Sequence, residues 1–298
     1  MKILVPVDLI QPIQPIITIL NALVPLANAD LKLLYVREML PAFENVVKTS
    51  GSFPDDWDRE FDAKAKAVMD EAIVQLQPLC KSVTGEVTHG PAAMIIETVA
   101  RDEHFEMIVL APRQHSVADR IFSGSVTNKV VHRAAGTLLI ARPGSLAGGR
   151  LANVMIGFDG SKNACEAITR SLQQFSIAEN QPKVTVVHSV DLAEPYKLFG
   201  PVAFVSALEQ NLLMQGETFL AQAEKILTDA GVKDIELCLI EGDPASELIK
   251  MAKDISADLV VIGARGHSTA DHLMVGSVSE KVAAHAHCGV AVIKPGTK

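Results

Sequence analysis

The chain has 298 residues, 48% of them apolar and 21% charged, enough for two domains of ordinary size, each with a sizeable core. Its formal charge of −8 argues against sequence-independent nucleic-acid binding, which draws on Lys and Arg to neutralise phosphates. Cys80, Cys165, Cys238 and Cys288 are scattered and form no CxxC pair, which fits a reducing compartment and no cysteine-based metal site. The opening MKILVPVDL lacks the layout of a signal peptide. The most apolar long stretch, 9–29, is broken by prolines, glutamines and asparagines, so the expectation is no membrane span and a cytoplasmic location.

An internal repeat organises the chain at a spacing of about 152 residues. ILVPVD at 3–8 matches VMIGFD at 154–159. HGPAAMII at 89–96 matches EGDPASELI at 241–249, with Pro91 and Pro244 at the first turn of a helix. MIVLAPRQHS at 107–116 matches LVVIGARGHS at 259–268, SGSVTNKVV at 123–131 matches VGSVSEKVA at 275–283, and LLIARPG at 138–144 matches AVIKPG at 291–296. Five blocks in one order divide the chain into domains at 1–144 and 151–298, with the Gly/Ser-rich 143–149 as linker.

In chain order the first half predicts strands over 3–7, 31–36, 82–88, 107–110 and 137–141. Its helices fall over 12–27, 56–79, 91–101 and 125–135. The second half predicts strands over 153–158, 183–189, 235–240, 258–262 and 290–294, and helices over 162–176, 202–230, 244–256 and 277–287. Strands alternate with helices, and several strands are apolar nearly throughout, which signals a parallel sheet covered on both faces. The 56–79 helix carries Trp57, Phe61, Ala65, Val68, Met69, Ala72, Ile73 and Leu76 at helical spacing, so Trp57 reads as packing and not as a base-stacking platform. The irregular segments 37–55 and 191–201 read as surface loops, with lids or partner contacts as the alternative.

The stretch richest in chemical meaning is VVIGARGHSTADHLMVGS, 260–277. A buried strand runs into Gly263, Gly266 follows, and Gly276-Ser277 opens a helix. Glycines allow close backbone approach, and a helix N-terminus offers unpaired N–H groups with a partial positive charge, so a phosphate cradle and a plain loop with a Ser277 cap both fit. Asp159 ends the first strand of this half, where its carboxylate can meet a ribose hydroxyl or cap the next helix; position alone slightly favours the cap. The His285-x-His287-Cys288 cluster puts its histidines two apart, off a common helix face, which favours a structural role over a metal. His267 and His272 read as solvated loop histidines, and Asp271 is the acidic residue inside the loop. The sequence carries no GxxxxGK[ST] loop, nucleophile elbow or zinc-protease helix.

With Gly263-x2-Gly266-x9-Gly276-Ser277, the strand-end Asp159 and the GDPA turn at 242–245, repeated in block order over almost the whole chain, the sequence resembles a tandem universal stress protein. The resemblance implies two doubly wound, Rossmann-like five-stranded parallel sheets of order 3-2-1-4-5. It implies ATP, or ADP or AMP, with Mg2+ as an accompanying ion. Asp159 would contact adenosine, Val190 would pack near adenine as a loose match, and Gly263 and Gly266 would lie by ribose and phosphates. Gly276, Ser277, Val278 and Ser279 would hold phosphate oxygens through backbone N–H and hydroxyl groups. It further implies that the last strands, 137–141 and 290–294, pair the two halves as a pseudo-dimer, since an uncovered apolar edge seeks a partner. A homodimer of chains stays open.

The first half departs from this pattern. Ala111 stands for Gly263 and Gln114 for Gly266, while Asp8 and the 124–127 GSVT are kept. If Gly266 needs left-handed geometry, Gln114 costs about 1–2 kcal/mol there. The expectation is one nucleotide site, in the second half, with hydrolysis slow or absent because no base or arginine finger is assigned. Two other readings remain: a non-catalytic scaffold for a protein or small apolar ligand, and a slow nucleotide hydrolase.

Overall fold

The computed structural model describes residues 1–8, 13–38, 57–111, 125–133, 136–142, 146, 149–192, 202–266 and 275–294. The first half contains β1 (Lys2–Pro6), α1 (Gln14–Leu23), β2 (Asp30–Arg37), α2 (Trp57–Leu76), β3 (Ser82–His89), α3 (Ala92–Asp102), β4 (Met107–Leu110), α4 (Ser125–Arg133) and β5 (Thr137–Ile140). The second contains β6 (Asn153–Gly157), α5 (Lys162–Gln174), α6 (Ile177–Asn180), β7 (Lys183–Val190), α7 (Val202–Asp229), β8 (Ile235–Glu241), α8 (Pro244–Asp254), β9 (Leu259–Gly263), α9 (Ser277–His285) and β10 (Gly289–Ile293).

The strands form one sheet ordered β3-β2-β1-β4-β5-β10-β9-β6-β7-β8. Counted within its own half, each run reads 3-2-1-4-5, and all neighbours inside a half are parallel. The seam is antiparallel, with Thr137 opposite Ile293 and Ile140 opposite Val290.

Side chains alternate across a strand, so a strand apolar at every position must be covered twice. Ile3 and Val5 accordingly join one core with α1, α2, α5 and α7, while Leu4 joins another with α3, α4, α8 and α9. Both cores continue from one half into the other. In α2, Ala65, Met69, Ala72 and Leu76 face the sheet, whereas Val68 turns outward at 45% exposure. The side chain of Trp57 lies outside the described residues, as do most of the irregular segments 37–55 and 191–201.

Two local differences from the predicted elements have clear causes. The helix expected over 12–27 ends at Leu23, because Val24 precedes Pro25 and is pushed to an extended conformation, φ −119° and ψ 136°. A single-turn helix, α6, follows α5 and stops at Gln181, which sits at φ 46° with its side-chain amide donating to Ala178 O at 2.8 Å. The repeat reaches into backbone conformation: Gly90 and Gly242 share φ +136°, and their N–H groups donate to the carbonyls of Arg37 and Val190, the last residues of β2 and β7. Pro244 opens α8, while Pro91 stands one position before α3.

Candidate functional site

β6 and β9 are neighbours, with Gly157 opposite Ile262. The helix after β6 packs on one face of the sheet and the helix after β9 on the other, so the connections diverge just beyond these strand ends. A cavity of about 270 Å³ opens there. Val187, Pro244 and Leu248 give it an apolar end, and Asp159, Gly263, Arg265, Gly266 and Gly276 to Ser279 line the rest.

Asp159 is held in a defined pose. Its Oδ1 accepts from the Ser161 N–H at 3.0 Å across Gly160, whose φ is +77°. The cap of α5 is Ser161, whose hydroxyl accepts from the Ala164 N–H at 3.1 Å, so the capping role that position favoured for Asp159 belongs two residues on. The other oxygen of Asp159 faces Gly266, where an added Cβ would lie 2.3 Å from Oδ2. Gly266 is not in the left-handed region. The position therefore requires glycine for space and not for conformation, which replaces the left-handed argument against Gln114; Gln114 and Gly124 themselves lie outside the described residues.

The start of α9 is tied to the sheet. Gly276 N–H donates to Ala264 O at 2.8 Å, and Gly276 O accepts the first helical bond, from Glu280, at 2.9 Å. The N–H groups of Ser277, Val278 and Ser279 have no carbonyl behind them within the helix and border the cavity. The Ser279 hydroxyl donates to Gly263 O at 2.7 Å, so its hydrogen fixes the loop, leaving its backbone N–H to serve the cavity. Gly263 and Gly276 have room for a Cβ at ordinary contact distance, 3.4 Å or more.

Val190 is buried at the end of β7 but does not line the cavity; Val187, His188 and Ser189 of the same strand do. His188 Nδ1 lies 2.8 Å from Phe158 O, and its ring meets Phe219 edge-on at 5.4 Å. The Ser189 hydroxyl donates to Gly242 O at 2.8 Å. Sequence reasoning did not single out these residues or Arg265, which is 7% exposed. The signals were there: Arg265 sits between Gly263 and Gly266, and His188 precedes the strand end that faces Asp159. Lys294, at the end of β10, is pushed down to about 8, chiefly by burial, with the charge of Arg265 adding and Glu97 opposing.

Elsewhere, Cys288 is buried and its thiol is pushed up to about 12, mainly by that burial, which makes it a poor nucleophile or ligand at neutral pH. Among the described residues no group of three His, Cys, Asp or Glu could hold a metal, and no helix is long and apolar enough to cross a membrane. His267, Asp271 and His272 lie outside the described residues.

Comparison with known proteins agrees with this architecture. The model of the universal stress protein family matches twice, over residues 1–142 and 151–294. A putative universal stress protein of Staphylococcus aureus strain USA300 is 33% identical over 144 residues, covering 48% of this chain and 83% of that protein. The crystal structure of a universal stress protein from Archaeoglobus fulgidus DSM 4304 superposes with a TM-score of 0.69 at 18% identity, covering 99% of this chain and 96% of that one. A putative universal stress protein from Pseudomonas aeruginosa UCBPP-PA14 gives 0.65 at 14% identity, with 99% and 93% covered. With the family model matched in both halves, this chain belongs to the universal stress protein family.

Proposed function

We propose that the second half binds an adenine nucleotide, ATP or its relatives ADP and AMP, and that the chain works as a cytoplasmic, nucleotide-responsive regulator in a stress response. The observation that carries this reading is convergence: Asp159, Gly263, Gly266 and the 276–279 run, spread over most of a domain in sequence, border one cavity. Val187, Pro244 and Leu248 suit an adenine ring, with Val190 behind them accepting the Gly242 N–H at 3.0 Å and holding that turn in place. Asp159 suits a ribose hydroxyl, and the opening N–H groups of α9 suit phosphate oxygens. Mg2+ would come with the phosphates, which commonly supply its ligands together with water.

The first half is a weak or silent partner in this reading. Where the second half has Val190, it has Arg37, paired with Asp62 at 3.3 Å and lying 5.6 Å from the Phe61 ring centroid, so a guanidinium stands where the second half has a buried apolar side chain behind its cavity. In sequence, Gln114 takes the place of Gly266, whose lack of a side chain leaves Asp159 Oδ2 its space in the second half. The antiparallel β5–β10 seam supports a lasting pairing of the halves.

Calorimetric titration of ATP and magnesium into nucleotide-stripped protein tests the reading, with Gly276→Val as the control. Gly276 sits at φ −72° and ψ 156° with no neighbour closer than 3.5 Å to an added Cβ, so the variant can fold while narrowing the cavity. One site per chain, lost in Gly276→Val, is expected. Two sites would overturn the reading of the first half. No binding by folded protein would overturn the nucleotide reading in favour of a scaffold.

A further inference from the structure

The helix that offers its N-terminus to the cavity is held by the other half of the chain. Arg142, just past β5, reaches across the seam to the C-terminal end of α9. Its Nη1 donates to Cys288 O at 2.9 Å, and its Nη2 donates to Ala284 O at 3.2 Å and to Ala283 O. A helix leaves its last carbonyls without internal partners, and a planar guanidinium fork can serve several at once. At the other end, His132 of α4 places Nε2 3.2 Å from Glu280 Oε1, in the first turn of α9. Both ends of this nine-residue helix therefore take contacts from the first half.

The arrangement is reciprocal but unequal. In the repeat, Arg142 corresponds to Lys294, and Lys294 crosses the seam the other way, donating to His132 O in the last turn of α4 at 3.3 Å. The helix that borders the cavity receives a guanidinium fork on two of its own carbonyls, with Cys288 O just beyond its end as a third acceptor. The helix of the departing half receives an ammonium, which is a point charge without a fixed fork. The more directional clamp thus falls on the helix that borders the cavity.

We propose that Arg142 is a positioning residue for the nucleotide site: through α9, the first half aims the N–H groups of Ser277, Val278 and Ser279 at phosphate. Such a short helix spans about 13 Å, so a tilt at its C-terminal end is delivered to the cavity. The apolar end of the cavity, built from β7 and α8, meets α9 through side-chain packing between α8 and α9, whereas the phosphate end is the backbone of α9 itself. Phosphate recognition should therefore suffer more than nucleoside recognition when Arg142 is removed.

This inference rests on the nucleotide reading above, and the test separates the two. Titrations of ATP and of adenosine are compared in the wild-type chain, Arg142→Met, Arg142→Lys and His132→Ala. In Arg142→Met, ATP affinity is expected to fall about tenfold with adenosine affinity held within about twofold; Arg142→Lys should restore part of the loss, and His132→Ala should show the same split at about threefold. A general packing defect would weaken both ligands alike. Unchanged ATP affinity, or equal losses for both ligands, would overturn the inference while leaving the nucleotide reading intact. If Arg142→Met does not fold, Arg142→Lys and His132→Ala decide by the same split. A wild-type chain that takes no ATP removes the nucleotide reading and the inference with it.

Discussion

Gly160 and Gly266 flank the carboxylate of Asp159 and need glycine for different reasons. Gly160 has φ +77°, and an added Cβ would sit 2.2 Å from the Phe219 ring, so both conformation and space forbid a side chain. Gly160→Ala is expected to cost about 2–4 kcal/mol, read as a lower urea midpoint at unchanged slope. Gly266 has no such conformational need, and its Cβ would meet only the tip of Asp159. That carboxylate can swing aside, so Gly266→Ala should change stability by less than about 1 kcal/mol while weakening ATP binding in the same titration. A large stability loss in Gly266→Ala would refute this division. The glycine spacing and the strand-end aspartate were legible because each is a local pattern. Which glycine was needed for space was not legible, since that depends on a residue about a hundred positions away; the positions of His188 and Arg265 beside the motif were legible, but what their side chains touch was not, since that depends on packing across the sheet.

Among the elements, α8 shows how local chemistry sets a boundary. Pro244 opens it, and the Asp243 carboxylate accepts from the Ser246 N–H at 2.9 Å and from its hydroxyl at 2.7 Å. These two bonds, the hydroxyl first, hold the Asp243 carboxyl below its usual 3.8. Asp243→Ala should cost about 1 kcal/mol at pH 7 by urea denaturation, and Asp243→Asn much less. The folded pKa is lowered, so the cap is complete above the ordinary carboxylate range and is lost as pH falls through the folded value. The difference between wild type and Asp243→Ala should therefore shrink on acidification below pH 3.8, and a constant difference would argue against the ionised cap. Strands such as β4 and β9 were readable because burial on both faces leaves no polar position. Helix ends were less so: α1 stops where Pro25 acts on Val24, and α6 is a single turn too short to produce a period.

For the whole molecule, the seam between the halves carries a buried cation, and its energetics can be tested through pH. Lys294 is 6% exposed, and its ammonium donates across the seam to His132 O at 3.3 Å. Burial lowers its pKa from 10.5 to about 8, helped by the charge of Arg265 and opposed by Glu97. The sign follows from proton binding. Below pH 8 the group is charged folded and unfolded, and the full cost of burying the charge is present. Between pH 8 and 10.5 the folded state has released its proton and the unfolded state still holds it, so rising pH favours folding. Above that range the cost is gone. Lys294→Met keeps the length of the side chain without the charge, and gives up the bond to His132 O, worth about 1 kcal/mol. The stability of Lys294→Met relative to wild type should be most favourable at pH 7 and should decline by about 2–3 kcal/mol toward pH 10.5, measured as urea midpoints at intervals across that range. Subtracting wild type removes the titration of other groups, so a flat difference would mean that the ammonium is solvated and that the seam tolerates the charge at no cost. A declining difference would mean that the seam bears a standing electrostatic strain, set partly by Arg265 in the cavity wall, which ties the fit of the two halves to the charge state of the site.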